Sequence, residues 1–377
     1  MSGFFPDIRA AEGALQQEAF TRWQAMGDLR RREHWRWTPL DALRDDARRS
    51  EGADYQFDLP DAIGEDFGAD DAADRALLAL DDAAFAALNL ALLPDALQLT
   101  VPDGADLDAI AALNIDLLAR RLQTSRIHIR AGKNSRSAFW LDYRASRSGA
   151  QLPVITVDAA AGAQVDVALW FQGDSGTAQV AQAAVQQANN SRVRLNALQA
   201  GGDLLRLDVH SELRGEGTHF AFGGVQLLAG SQIGDYHLNV RHLTENSESH
   251  QRVRGALDDA ALGIFDGMIY VAHGAQKTDA RQDSRYILLS DSARSHSVPR
   301  LEIYADDVQC AHGSTTGKID EEALFYLRSR GIGYEAARKM LILSFLHEAV
   351  VVEHQTLADA VHQTISDIWL GDDEAAA

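Results

Sequence analysis

A single cysteine, Cys310, stands in a chain of 377 residues. That excludes an intramolecular disulfide and any all-cysteine zinc or iron–sulfur site held by one chain. Positive charge is scarce as well: 35 Lys and Arg face 55 Asp and Glu, a net charge of −20. Such a chain repels phosphate backbones, so no nucleic-acid partner is expected. Apolar runs are short. Stretches such as Ala83–Pro94 fall well below the roughly 20 residues of a membrane span. The opening residues, MSGFFPDIRAAEG, show no basic segment followed by an apolar one, so no secretory signal is read. A cytoplasmic location without a membrane partner is expected. No Asn-Gly dipeptide occurs, which removes the strongest short hairpin signal.

What is present is an ordinary globular composition, 46% hydrophobic and 24% charged, long enough for two or three units at roughly 150 residues each. Residues 1–95 read as a helical region with an acidic linker. Helical spacing joins Leu15, Ala19, Trp23 and Met26. Residues 41–82 then carry 14 acidic and 4 basic side chains, the pattern of a solvated linker or irregular loop. A short helix is expected over Asp81–Leu93. Residues 96–317 change character. Runs such as SRIHIRA, PVITVDA, RVRLNAL, YHLNVRHL and LEIYADDV alternate apolar and polar residues between Gly, Asn, Asp or Ser turns. A sandwich or barrel and a parallel β-helix both fit, and the scarcity of two-residue turns favours the β-helix. Residues 318–377 return to helix over Asp320–Gly331, Tyr334–His354 and Thr356–Leu370, with Thr356 as the expected cap of the last.

The densest cluster of chemistry is LEIYADDVQCAHGSTTGKIDEEALFYLRSRG, Leu301–Gly331. Cys310 and His312 sit two residues apart, so on an extended segment they share a side. A thiolate and an imidazole suit iron, zinc or copper, but two ligands do not complete a site. From spacing alone, a small buried residue beside a hydrogen-bonded turn histidine is the stronger reading. Gly313–Lys318 is one residue short of a phosphate loop and has Ile319 where a hydroxyl is needed, so it reads as a turn. His347-Glu348 and Glu353-His354 miss metalloprotease spacing, because residue 351 is Val, and read as the polar edge of a buried helix. RRREHWRW, Arg30–Trp37, reads as a helix end packing on the body. His237, His242 and His250 fall in or near LTENSESH and read as polar turns.

The Leu301–Gly331 stretch also resembles the SufD members of the SufB/SufD family of the SUF iron–sulfur cluster assembly system. The resemblance extends upstream through VRHLTENSESHQRVRGALDDAALGIFDGMIYVAHGAQKTDARQDSRYILLS and reappears at RRREHWRWTPL, with Trp37 where Tyr is usual. It implies a mainly β fold, with a right-handed parallel β-helix core flanked by N-terminal and C-terminal α-helical regions. It further implies a non-catalytic scaffold subunit of a SufBCD complex, pairing with SufB, with ATPase activity in SufC. Cys310 and His312 become candidate interfacial ligands of a transient iron–sulfur cluster shared with SufB. Phe325, Tyr326, Leu327, Arg330, Leu341 and Phe345 become the candidate SufC contacts. No cluster is expected to be tightly bound to the isolated chain. A reduced flavin on the complex and a homodimer of the chain alone stay open. The alternative from another class is a β-helix carbohydrate-active enzyme, a lyase or glycosidase, which would need paired carboxylates on one face of the coils.

Overall fold

The computed structural model describes residues 10–29, 35, 36, 38, 50–80, 83–93, 95–117, 122–146 and 149–371. An N-terminal region contains α1 (Ala14–Ala25), β1 (Ser50–Gly52), β2 (Tyr55–Asp58), β3 (Gly64–Gly68), α2 (Asp71–Leu78) and α3 (Ala84–Leu92). Then come sixteen strands: β4 (Ala96–Val101), β5 (Asp106–Leu117), β6 (Leu122–Ala131), β7 (Arg136–Ala145), β8 (Gly149–Ala159), β9 (Gln164–Gly173), β10 (Thr177–Gln187) and β11 (Arg192–Gly201). The series continues with β12 (Leu204–Leu213), β13 (His219–Leu228), β14 (Ile233–His242), β15 (Glu248–Leu257), β16 (Leu262–Val271), β17 (Asp279–Leu288), β18 (Arg294–Ile303) and β19 (Gln309–Gly317). Helices α4 (Glu321–Ser329), α5 (Tyr334–His347) and α6 (Gln355–Leu370) follow.

Even-numbered strands from β4 to β18 form one parallel sheet and odd-numbered strands from β5 to β19 the other. Each strand pairs with the strand two later, which makes a parallel β-solenoid of about eight turns. The period is uneven: 26 residues where Ala178 pairs with Leu204, 28 where Gly149 pairs with Thr177, and 32 where Leu262 pairs with Arg294. Inward residues of both sheets, Leu99, Ile129, Val157, Val185, Leu207, Phe222 and Tyr236 among them, fill one continuous core.

The corners replace hairpin turns with a stacked column of left-handed residues. Asn134, Gly162, Asn190, Gly217 and Asn246 all have positive φ, a conformation open to Gly and tolerated by Asn. The alternation has a steric reason. A Cβ on Gly162 would sit 2.2 Å from Asn134 Oδ1, and one on Gly217 2.5 Å from Asn190 Oδ1. Each Asn side chain therefore occupies the space of the next turn's missing side chain.

The acidic stretch expected to be a linker is ordered where it is described, and that expectation is corrected. β3 pairs antiparallel with β4, β2 antiparallel with β5, and β1 parallel with β6. Unpaired backbone groups on the solenoid's first turn recruit these strands, and edge pairing overrides composition. Its acids also have structural uses: Asp70 caps α2 through Ala73 N, while the fully buried Asp74 lies 3.1 Å from Arg126 and 3.3 Å from His128. Helices α1 and α3 pack on the outer face of the even-numbered sheet against Leu122, Leu152, Val180 and Leu204. Trp35 is buried, 5.2 Å from the Phe85 ring and 3.6 Å under the Arg206 guanidinium. Residues 30–34 and 37 of the Arg/Trp segment, Asp81 and Asp82 before α3, and the tail beyond Gly371 lie outside the described residues.

Helices α5 and α6 cover the outer face of the odd-numbered sheet, burying Ile342, Leu346, Leu357, Val361 and Ile365 on Ala168, Leu198 and Val225. The long helix expected over Tyr334–His354 stops at His347, and α6 starts with His354, not Thr356, as its N-cap. The cause is tertiary. The link between them is pulled onto the sheet by Asn196 and Asp166, whose side chains accept from the backbone N–H groups of Val351, Val352, Glu353 and His354. No described helix is long and apolar enough to cross a membrane.

Candidate functional site

The two ends of the solenoid differ. β2 and β3 close the first turn, whereas β18 and β19 are the last strands of their sheets and pair on one side only. Cys310 and His312 lie on β19, in register with Ala280 and Gln282 of β17. Ala280 and Gln282 are buried, and Gln282 donates to Gln251 of the turn beneath at 3.1 Å. Cys310 and His312 therefore continue interior columns, and they end them. On β18 the interior row continues through Pro299 and Leu301 to Ile303, which is 39% exposed. The last turn thus presents a cross-section of the core, with an apolar row on one strand and a thiol and an imidazole on the other.

Cys310 is half-buried against Ile269, Val271, Ala280 and Ala305. Burial pushes its thiol above the usual value, the Asp279 carboxylate pushes it further, and the Ala280 backbone hydrogen bond opposes both. At neutral pH it is a thiol and not a thiolate, so a metal ion must displace its proton to bind. His312 is exposed. Among the described residues, no three His, Cys, Asp or Glu side chains converge into a metal-holding group. The pair stays a pair. Gly313–Gly317, read from the sequence as a turn, is strand, held extended by its ladder with Asp283–Ile287.

Past Lys318, which reaches Asp291 at 3.0 Å, Asp320 caps α4 through the N–H groups of Glu322 and Ala323. Of the helix residues singled out in the sequence, Phe325 is 72% and Tyr326 56% exposed. Arg330 is exposed, with its guanidinium 5.1 Å over the Tyr326 ring, while Leu327, Leu341 and Phe345 are half-buried. Tyr334 and Met340 extend the exposed apolar surface. The expected polar helix edge is placed differently: Glu348 pairs with Arg254 at 2.9 Å, and Glu353 pairs with Arg194.

The histidines near LTENSESH are strand residues and not turn residues. His237 is central in β14 and His250 lies in β15. His242 is fully buried, between Ser247 Oγ at 2.7 Å and Ser249 Oγ at 2.8 Å, and burial lowers its pKa to about 4. Sequence reasoning missed a groove on the outer face of the even-numbered sheet, lined by His210, His237, Arg241, Asp266, Tyr270 and Arg300 among others. Its residues recur at alternate positions in four strands about 30 residues apart, so only the strand pairing reveals them as neighbours.

Residues 115–345 match the model of the family described as "SUF system FeS cluster assembly, SufBD core domain". The chain is 36% identical over 148 residues to the iron–sulfur cluster assembly protein SufD of Escherichia coli, covering 39% of this chain and 35% of that protein. It is 35% identical over 158 residues to SufD of Bacillus subtilis, covering 42% and 36% of the two chains. An iron–sulfur cluster assembly SufBD family protein of Synechocystis is 35% identical over 178 residues, covering 47% and 39%. The matches thus span less than two fifths of the length of these relatives. The family match takes in the open end of the solenoid, Cys310, His312 and α4, and extends over more than half of the sequence. The chain belongs to the SufBD core family of SUF-system iron–sulfur cluster assembly proteins.

Proposed function

We propose that the chain is a SufD-type, non-catalytic scaffold subunit that pairs with SufB through the open end of its solenoid and supports cluster assembly there. The observation that carries this reading is the uncapped last turn. A core cross-section with Leu301 and Ile303 beside Cys310 and His312 is costly to leave in water, and a related solenoid can cover it. Two ligands from this chain need others from the partner. Mixed Cys and His ligation tunes a cluster's potential and solvent exposure, which suits transient holding of a cargo. The exposed face of α4 and the start of α5, with Phe325, Tyr326 and Arg330 at its centre, is the proposed seat of the SufC ATPase. Aromatic and Arg residues of this kind dominate interface energetics. A cytoplasmic location, and a division into units at 1–95, 96–317 and 318–377, belong to the same proposal.

The carbohydrate-active alternative asks for carboxylates free to act as acid and base. The outer groove does collect Asp208, Asp266 and Glu302. Asp208 is held by Arg206 and Asp266 by Arg300, which leaves no such pair among the described residues of this groove and favours the scaffold reading.

The test is anaerobic reconstitution with iron and sulfide, using the full chain with SufB and SufC expressed together. A stable three-component assembly that acquires cluster absorbance, with none on this chain alone, is the expected result. Failure of the chain to co-purify with SufB would overturn the pairing. A stoichiometric cluster on the isolated chain would overturn the shared-ligand reading.

A further inference from the structure

The groove on the even-numbered sheet encloses about 620 Å³, within the usual range for small-molecule sites. Its floor is a grid of outward-facing residues on β12, β14, β16 and β18. One row runs Asp208, His237, Asp266. The next runs His210, Asn239, Met268, Arg300, and the one after it Arg241, Tyr270, Glu302, with Glu212 beside Arg241 on β12 but outside the groove lining. Most of the charge is already matched within the grid. Arg206 pairs with Asp208 at 2.9 Å and Asp235 at 3.2 Å, His237 meets Asp235 at 2.9 Å, and Arg300 pairs with Asp266.

Arg241 differs. Its strand neighbour Glu212 is taken by Arg214 at 2.6 Å. Among the described residues no carboxylate lies within ion-pair distance of Arg241, and its Nε is buried without an acceptor. The guanidinium instead lies 4.9 Å over the Tyr270 ring. Tyr270 begins an aromatic run: its ring is 5.6 Å from Tyr304, which is half exposed, and Tyr304 is 5.2 Å from His273.

We propose that this groove binds a nucleotide, with a phosphate on Arg241 and the base stacked on the Tyr270–Tyr304 pair. An unpaired, half-buried guanidinium is a strong oxyanion donor in fork geometry. A partly exposed tyrosine offers a face on which any base can stack. Glu302, on the exposed rim of the groove, can accept from ribose hydroxyls. The chain's net charge of −20 does not decide against an anion, because charges more than about 8 Å away are largely screened at physiological salt. The site is formed within this chain, so the proposal stands apart from the cluster-assembly reading.

Calorimetric titration of the full isolated chain with AMP, adenosine and inorganic phosphate tests it. AMP is expected to saturate a single site, with adenosine and phosphate each at least about tenfold weaker and phosphate displacing AMP. Arg241→Gln should weaken AMP by at least about tenfold. Tyr304→Ala, at an exposed position, should weaken AMP by at least about fivefold and leave phosphate binding unchanged, which keeps the test valid if Arg241→Gln disturbs the sheet. Absence of saturable AMP binding would overturn the proposal. So would equal affinity for adenosine and AMP, or AMP binding that neither variant alters.

Discussion

Asn196 and Ala349, 153 residues apart in the chain, meet where the Asn196 side-chain amide donates to the Ala349 carbonyl at 2.8 Å. The same amide donates to Gly223 O, and its oxygen accepts from the N–H groups of Val351 and Val352. Gly223 is the complement of this arrangement, since a Cβ there would lie 1.9 Å from the Ala349 carbonyl oxygen. One buried side chain thus satisfies four backbone groups and fixes the break between α5 and α6.

Asn196→Ala is therefore expected to destabilise the protein by roughly 2–4 kcal/mol, because several buried backbone groups lose partners at about 1–3 kcal/mol each and water replaces only part of that. Gly223→Ala should act in the same direction by forcing the link off the sheet. Urea unfolding midpoints and protease cleavage within residues 348–354 measure both. An unchanged midpoint with unchanged cleavage would show that apolar packing of α5 and α6 is sufficient without the polar lock.

Much of this was out of reach of the sequence. The order of helix, long β region and helix was legible because period-2 and period-3.6 patterns survive in each segment. The solenoid repeat was obscured by turns that vary from 26 to 32 residues, and by corners where Asn and Gly alternate for steric reasons. The acidic stretch misled because Asp70 and Asp74 act at a cap and in a buried ion pair, uses that composition does not record. Thr356 is a good capping residue by type, yet the helix begins earlier because Asp166 already holds the N–H groups of Glu353 and His354. Cys310 and His312 were found by spacing and resemblance. Their place at the end of interior columns came only from the register with Ala280 and Gln282.

Acid should loosen the last turns of the solenoid first. His242 has its pKa lowered from 6.5 to about 4 by burial, so the fold prefers the neutral ring. That preference is fully in force above about pH 6.5 and is lost as pH falls toward 4, an effect of roughly 3 kcal/mol. His219, His296 and His347 are lowered too, mainly by burial, and act in the same direction. Unfolding free energies between pH 7 and 4.5 for the protein and for His242→Gln provide the check. The variant should lose stability less steeply with acid. Parallel pH slopes would remove His242 as the cause.

The proposed docking of SufC is best probed on the surface and not by truncation. Removing everything after Lys318 would uncover Trp170, Leu198 and Val225 on the odd-numbered sheet, and the damage would be unspecific. Phe325 and Tyr326 are mostly in water already, so a Phe325→Ala, Tyr326→Ala double variant should fold normally. Its affinity for SufC should fall by at least about tenfold, as expected when two interface aromatics are truncated. Normal circular dichroism with unaltered SufC binding would place the contact elsewhere.

The sharpest prediction separates the two residues at the open end. His312 is exposed on an edge strand, where truncation costs little stability. Its imidazole can ligate iron. His312→Ala is therefore expected to lower cluster yield on the reconstituted assembly severalfold while leaving SufB and SufC association intact by gel filtration. Cys310 is half-buried, and burial and Asp279 both favour its protonated form, so it gives up its proton less readily and is the poorer first ligand. Cys310→Ser should reduce yield less than His312→Ala, with a stability change below about 1 kcal/mol because a half-buried residue of similar size is exchanged. Iron and sulfide content per assembly, read beside visible absorbance, ranks the two variants. Wild-type yield from His312→Ala in an intact assembly would reduce the histidine to a structural residue, and a larger loss from Cys310→Ser would transfer the leading role to the thiol.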